Sequence, residues 1–436
     1  MNIRVSIRRI FLAVLVVAVA ADRLPAQALT SLDRERGKVM LEQVHKELRE
    51  HYYDPTFGGM DLNARVKQAG ARIDTAKSNS EVFGVIAQLV SEINDSYTYF
   101  VPPDRTARVR YGWEMIALGD SVHILAVKPG SDAAKKGLRP GDRVLSVNGF
   151  EPTRENRWKL RYLYWVLRPQ PFLRVTVRDT AGQTRALQLD AEVQVSKQLV
   201  NLNTDEGIRQ LILELESEFE VLEPRTAKVG DILLIQLSNL LEKLRYIGSP
   251  LKQTDKARSV VLDLRGNGAG MSSALIEIVG AFVEQETLVA YALRRNEIDT
   301  IRAEPKDPFK GRLVVLIDSR TGGAAELFAR LMQLSARATI VGDWSSGTGH
   351  LSTVRWQETG AGRVVPYGIS LSTADLRLAD GKTLERRGVM PDEFVVPAPA
   401  DLAAGRDPAL ARAIAIAGGS LDPLAAGKIF PARWKR

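Results

Sequence analysis

The chain has no cysteine in 436 residues and only four histidines. The first absence excludes a disulfide framework, a thiol nucleophile and a lipid-accepting cysteine. The histidines, His45, His51, His123 and His350, do not stand at metal-ligand spacing, so neither a metal nor any other cofactor is expected. Lysine and arginine exceed aspartate and glutamate by eight, yet no basic run with interleaved aromatic residues occurs. That excess reads as a solvated surface, and nucleic acid is not an expected partner. Long apolar runs are also lacking, with one exception. Ile10–Ala21 follows Arg4, Arg8 and Arg9 and precedes Ala26-Gln27-Ala28, the pattern of a secretory signal peptide over residues 1–28. Its apolar part is shorter than the ~20 residues of a membrane-spanning helix. An exported protein, periplasmic or extracellular, is expected, touching a membrane only through an uncleaved signal.

What is present is ample. At 45% hydrophobic and 26% charged, the chain can enclose a large core in two or three domains, without internal repeats or low-complexity tracts. Leu29–Phe100 reads as helical: Val39, Leu41, Val44, Leu48 and Tyr52 approximate one stripe, and Asp61–Ile73 and Ser80–Ile93 carry similar periodicity. From about Arg108 to Asp190 the pattern shifts to short strands and turns. Val122–Val127 and Arg143–Val147 are expected strands, Gly130-Ser131-Asp132 can cap a short helix, and Asn148-Gly149 is a tight hairpin signal. Asp231–Ile235 and Ser259–Leu264 then read as buried strands, with Ser238–Ile247 a helix between them.

The most telling segment runs from Leu313 to Gly349. Leu313–Ile317 is an apolar β-branched run, Thr321-Gly322-Gly323 a turn, and Ala324–Leu334 a helix with Leu327, Phe328, Leu331 and Met332 on one face; Ala338–Val341 is the next strand. A strand entering a helix through a tight turn exposes whatever sits at the turn, beside backbone N–H groups at the positive helix end. An acyl-transfer enzyme places its serine and oxyanion donors there. Glycine supplies neither oxygen nor proton.

This segment resembles the core of the C-terminal processing, or tail-specific, serine peptidases. Their elbow reads S/T-A-S-A-S/A-E, and a later T/S-F-G-K-G turn carries a lysine base. The resemblance places Gly323 where the serine stands and Thr348, in Ser345-Ser346-Gly347-Thr348-Gly349, where the lysine stands. Leu334 follows Gln333 where the family often has Gln-Asp. Tyr97, in Asp95-Ser96-Tyr97-Thr98, replaces the histidine that tricorn-type relatives use as base; it is expected to be a packed aromatic near the rim of the core, in preference to a tyrosine base. Asp263-Leu264-Arg265-Gly266-Asn267-Gly268-Ala269-Gly270 resembles the family's Asp-Leu-Arg-x-Asn-Pro-Gly-Gly loop, which implies oxyanion-type backbone donors at Gly268, Gly270 and Ala324. A phosphate-binding reading of these glycines is weaker, because no Gly-Lys-Ser/Thr follows. Gly388-Val389-Met390-Pro391-Asp392 matches the family's closing signature.

The stretch VKPGSDAAKKGLRPGDRVLSVNG closely resembles a PDZ domain of the bacterial protease kind. The resemblance implies a peptide-binding loop at Tyr111, Gly112, Trp113 and Glu114, with Arg154–Val166 as the helical wall of a groove. The alternative for Trp113 and Trp158 is ordinary packing. The fold implied is α/β within an α+β multidomain chain: a helical segment over 29–105, a PDZ-like β domain over 106–192, a tail-specific peptidase core of the ClpP/crotonase-like type over 193–398, and a helical extension over 399–436.

Three functions are compatible with these residues. The first is a family member lacking the Ser-Lys dyad that binds polypeptide segments or protein C-termini as an adaptor or regulator. The second is an active serine endopeptidase using Ser345, Ser346, Ser272 or Ser273, with His350 as base, although no orienting partner for that histidine is visible at a useful spacing. The third is a carrier of an apolar ligand, for which no pocket signature is evident.

Overall fold

Each helix at the start of the described chain begins on a side-chain cap. In the computed structural model the described residues are 29–103, 107–195, 223–240, 244–268, 270, 272–360 and 365–434. The signal-peptide segment lies outside them, as does Ala269. Helix α1, Ser31–His51, starts at Thr30, whose hydroxyl accepts from Asp33 N while the Asp33 carboxylate accepts from Thr30 N, each at 3.1 Å. Asp61 caps α2, Leu62–Asp74, and Ser78 caps α3, Asn79–Ser91. Met40, Leu41, Val44 and Leu48 of α1 meet Val66, Ala69 and Ile73 of α2 and Val82, Ile86 and Val90 of α3 in one apolar cluster. Val39 does not join them: it is exposed, and Met40 occupies the buried stripe, one residue of helical rotation away. After α3 the chain turns through Asn94 into β1, Tyr99–Val101.

The next region is β-rich. Strand β2 spans Ala107–Arg110. An antiparallel five-stranded sheet follows, in the order β3 (Trp113–Leu118), β4 (Ser121–Val127), β5 (Arg143–Val147), β6 (Phe172–Arg178) and β7 (Thr184–Asp190), so that β3 is an edge strand. Ser131 caps the short helix Asp132–Lys135, and Asn148 and Gly149 take the positive φ values that a tight reverse turn requires. Helix α4, Arg157–Arg161, continues as a wider turn over Tyr162–Leu167. Strand β8, Glu192–Val195, returns to pair with β2.

The core is a parallel sheet with one antiparallel edge: β9 (Arg225–Val229), β10 (Ile232–Gln236), β11 (Ser259–Asp263), β12 (Arg312–Ile317) and β13 (Ala338–Gly342), closed by the short Glu393–Phe394 strand. The inner runs, β10 to β13, are largely apolar on both faces because both are covered, whereas β9 at the edge alternates in exposure. On one side lie Ala274, Leu275 and Ile278 of the helix Ser272–Gly280, with Leu327, Phe328 and Met332 of α5, Ala324–Leu334. On the other lie Leu410, Ala413 and Ile414 of the helix Pro408–Ile416. Arg265, at the end of β11, pairs with Asp263 and Asp407 at 2.8 Å and so fastens that helix to the sheet.

A second, antiparallel sheet carries β14, His350–Thr359, and β15, Val365–Arg377; β1 adds to β15 with Phe100 opposite Ile369, which attaches the helical segment to the core. The expected helix Ser238–Ile247 is not formed at its start. Leu237 N donates to Asp263 O at 3.0 Å and Leu240 bridges Gly270, so strand-like pairing takes these buried leucines, and helix is present over Leu244–Leu251. Among the described residues no helix is long and apolar enough to cross a membrane.

Candidate active site

The loops after β11 and β12 leave the carboxyl ends of neighbouring parallel strands, the edge at which open α/β sheets bind ligands. The turn after β12 is an elbow. Gly323 caps α5 with φ 54° and ψ −122°, a conformation strained for any residue with a side chain and typical of the turn that projects a nucleophile. Gly322 N donates to Asn267 O at 2.7 Å, and Ser346 N to Thr321 O at 2.8 Å, so the elbow is stitched to both loops around it. A Cβ at Gly322 would come within 2.6 Å of Thr348 Oγ1 and 2.7 Å of Ser346 Oγ.

Thr348 is brought to Gly323, as the resemblance requires of the serine and lysine positions. Its Oγ1 accepts from Gly323 N at 2.7 Å and donates to Glu326 Oε2 at 2.9 Å; Ser346 Oγ is 3.2 Å away and Tyr97 Oη 3.4 Å. Four polar neighbours surround this hydroxyl, which leaves it no open direction for attack on a carbonyl. Glu326, wholly buried in the first turn of α5, also accepts from Gly347 N at 2.6 Å, Thr348 N at 2.8 Å and the Ser345 hydroxyl. Burial pushes its carboxyl up to about 7, against the lowering effect of these hydrogen bonds. One carboxylate thus shapes the turn where the family's base stands.

Tyr97 is a half-buried aromatic whose hydroxyl reaches the elbow. Its hydroxyl donates to Gly268 O at 3.1 Å and stands where a Cβ on Gly323 would overlap it. The reason is the anchoring of its neighbours: Asp95 accepts from Tyr97 N at 2.9 Å and from Ser372 Oγ at 2.6 Å, Ser96 Oγ donates to Glu385 at 2.7 Å, and Thr98 Oγ1 accepts from Ser372 N at 3.0 Å. The segment is held so that the ring points into the elbow. Of the oxyanion-type positions, Gly268 turns its carbonyl to Tyr97, Gly270 is bridged to Leu240 and lies against Ala324, and Ala324 is the first residue of α5, where helical N–H groups lack intrahelical partners. Leu334 is not part of the site. It lies exposed at the far end of α5, ten residues or ~15 Å along the axis.

Residues 231–395 match the model of a family described as Peptidase family S41. The core of the chain belongs to peptidase family S41. Residues 123–155 match a PDZ domain, and residues 33–91 the Tricorn protease C1 domain. The chain is 25% identical over 333 residues to the carboxyl-terminal-processing protease of Picosynechococcus sp., covering 73% of this chain and 74% of that protein. It is 23% identical over 373 residues to the protein of the same name from Synechocystis sp., covering 83% and 81%. In fold it resembles mature CPAF, with a TM-score of 0.63 at 14% identity over 86% of this chain and 95% of that one. The photosystem II D1 C-terminal processing protease gives 0.54 at 18% identity over 83% and 93%.

None of the alternative serines in the S41 core pairs with a histidine among the described residues. Ser345 is buried between Glu326 and Val389 N, Ser346 neighbours Thr348, and Ser272 and Ser273 begin the helix Ser272–Gly280. His350 does have orienting partners, supplied by distant parts of the chain. Its Nδ1 lies 2.7 Å from Asp95 Oδ2 and 3.6 Å from Glu385 Oε2, its Nε2 3.8 Å from Asp375 Oδ1, and its ring 4.9 Å from that of Tyr53. Burial pulls the imidazole down, but the three carboxylates outweigh it and hold the group above its ordinary value. A histidine held towards its protonated form is a poor proton acceptor. Among the described residues no group of three or more His, Asp or Glu is placed to hold a metal ion.

The loop implied for peptide binding turns its side chains inward. Tyr111 and Trp113 are buried, with rings 4.7 and 5.6 Å from Trp165, and the Tyr111 hydroxyl donates to Gln170 O at 2.8 Å. Glu114 forms a buried ion pair with Arg161 of α4 at 3.2 Å, which ties the edge strand to the helical wall. Packing, not exposure, is therefore what these side chains do. Gly112, at φ 71°, passes so close to Ser131 that a Cβ would lie 2.6 Å from the serine's.

Neither the organising role of Glu326 nor the carboxylates around His350 are evident from the sequence. Only the retained glutamate in the elbow motif signalled the first.

Proposed function

We propose that this is an exported, non-hydrolytic member of family S41 that binds polypeptide segments as an adaptor or regulator in the cell envelope. The observation that carries the reading is the junction of Gly323 with Tyr97: the nucleophile position has no hydroxyl, and a tyrosine oxygen fills the volume that a serine there would need. The preserved elbow backbone and the PDZ match support a cleft that still receives polypeptide. Export rests on the segment Arg4 to Ala28.

The test pairs two measurements on the purified mature chain. A fluorophosphonate probe should leave every serine unlabelled, with Ser345, Ser346, Ser272 and Ser273 resolved by mapping. Immobilised protein should retain unfolded polypeptide or free C-terminal peptides without cleaving them. A labelled serine whose mutation abolishes a cleavage product would sink the non-hydrolytic reading, and co-purifying lipid with no peptide retained would point to a carrier instead. Amino-terminal sequencing of the protein recovered from the cell envelope should begin near Leu29.

A further inference from the structure

The β-rich domain meets the S41 core beside the elbow, not away from it. Ser319 Oγ, in the turn before the elbow, donates to Ala117 O on β3 at 2.8 Å. Arg154 donates to Gly119 O and Trp344 O at 3.0 Å each and to Asp343 at 2.6 Å. Three residues further, on the first turn of α4, comes Arg157; seven residues on comes Arg161, which Glu114 neutralises. Arg157 and Arg161, four residues apart on α4, lie on one side of that helix, the side that the Glu114 pair turns towards β3.

Arg157 differs from its neighbours. Among the described residues it has no carboxylate partner, and its Nε is buried without a hydrogen bond. The side chain as a whole stays partly open to solvent, so a small anion can reach it. The charged groups acting on it most are Arg320, Asp318, Glu114 and Arg161; burial together with the nearby Arg320 pushes the guanidinium down to about 10. Arg320 is itself held by Asp318 at 2.9 Å and lies over Gly266. Within this group three guanidiniums face two carboxylates, one positive charge in excess. The buried Nε–H without an acceptor, beside an excess positive charge, calls for an anionic partner.

We infer that Arg157, with Arg320 across the domain junction, forms an anion subsite that takes one carboxylate of a bound polypeptide, either its C-terminal group or an acidic side chain. This rests on the polypeptide-binding reading above and adds the group recognised. It lies at the elbow end of α4, separate from the Tyr111–Glu114 loop.

The test is calorimetry of the full mature chain with matched peptides: free C-terminal acid, C-terminal amide, and amides with or without an internal glutamate. A peptide carrying one reachable carboxylate should bind about tenfold more tightly than its neutral counterpart, the size of one charge-assisted hydrogen-bonded contact. That preference should vanish in Arg157→Gln and persist in part in Arg157→Lys. Preference for the free acid alone identifies the terminal group; equal preference for the internal glutamate identifies a side chain. Peptides that bind wild type with no carboxylate preference overturn the subsite and leave polypeptide binding standing, a comparison that decides the matter even if Arg157→Gln fails to fold. Acetate provides the converse. If no peptide binds but acetate at constant ionic strength raises the wild-type melting temperature and not that of Arg157→Gln, the subsite survives and the polypeptide reading falls.

Discussion

A single tyrosine decides what can be rebuilt at the elbow. Gly323 keeps the strained backbone of a nucleophile turn, but the Tyr97 hydroxyl occupies the place of its missing side chain. Gly323→Ser should therefore destabilise the fold by about 1–3 kcal/mol from backbone strain, with overlap added. Combining it with Tyr97→Ala should recover the overlap part, a coupling that denaturant unfolding of the two single variants and the double variant would expose. Additive costs would show that serine and tyrosine do not compete for one space. Restoring hydrolysis follows the same logic: Gly323→Ser with Thr348→Lys should remain inactive on unfolded polypeptide, and only the triple variant with Tyr97→Ala should cleave it. Activity in the double variant would mean that Tyr97 yields easily.

At the scale of elements, α5 and the turn Ser345–Thr348 are one unit because Glu326 joins them. The carboxyl's folded pKa of about 7 lies above its ordinary 4.5, so the folded state holds more protons than the unfolded one between those values. Stability should fall as pH rises from about 4.5 to about 7, by at most about 3 kcal/mol, and change little on this account outside that window. Glu326→Gln should flatten that slope in denaturant midpoints measured across pH, while losing hydrogen bonds to the turn. An unchanged slope would show that another group carries the pH dependence. The elbow was legible in the sequence as strand, turn and helix. The carboxylate's role was not, since a lone glutamate in a helix motif carries no sign of burial.

At the scale of the molecule, side-chain junctions add to strand pairing in holding the domains together. Ser319 fastens the PDZ region to the turn before the elbow, and Arg154 fastens it to Asp343 just after β13. Arg154→Ala should cost about 1–3 kcal/mol and raise hydrogen exchange at Gly119, whose N–H faces the same Asp343 at 3.3 Å; normal protection there would show that the ion pair does not hold the junction. His350, with Asp95, Asp375 and Glu385, fastens the helical segment to the second sheet. Burial pushes the Asp95 carboxyl up, but His350, Ser372 and Tyr97 N–H hold it below its usual range. Since the histidine's folded value is raised above 6.5, its contribution is complete below that pH and is lost as pH rises through the folded value. His350→Gln should destabilise the chain more at pH 6 than at pH 9. Equal costs at both would mean that the histidine is not charged in the folded state.

The sequence alone determined the inventory: no hydroxyl at Gly323, no lysine at position 348, apolar runs long enough for a covered parallel sheet, and local caps that start each early helix. Those properties depend on residues within a few positions of one another. Which atoms fill the site was decided only by tertiary structure. Tyr97 and Thr348 are 251 residues apart, and Ser96 and Glu385 289. Over such separations periodicity and spacing carry no signal, and the contact exists only because the packing of the two sheets and the helical segment brings the ring to the elbow.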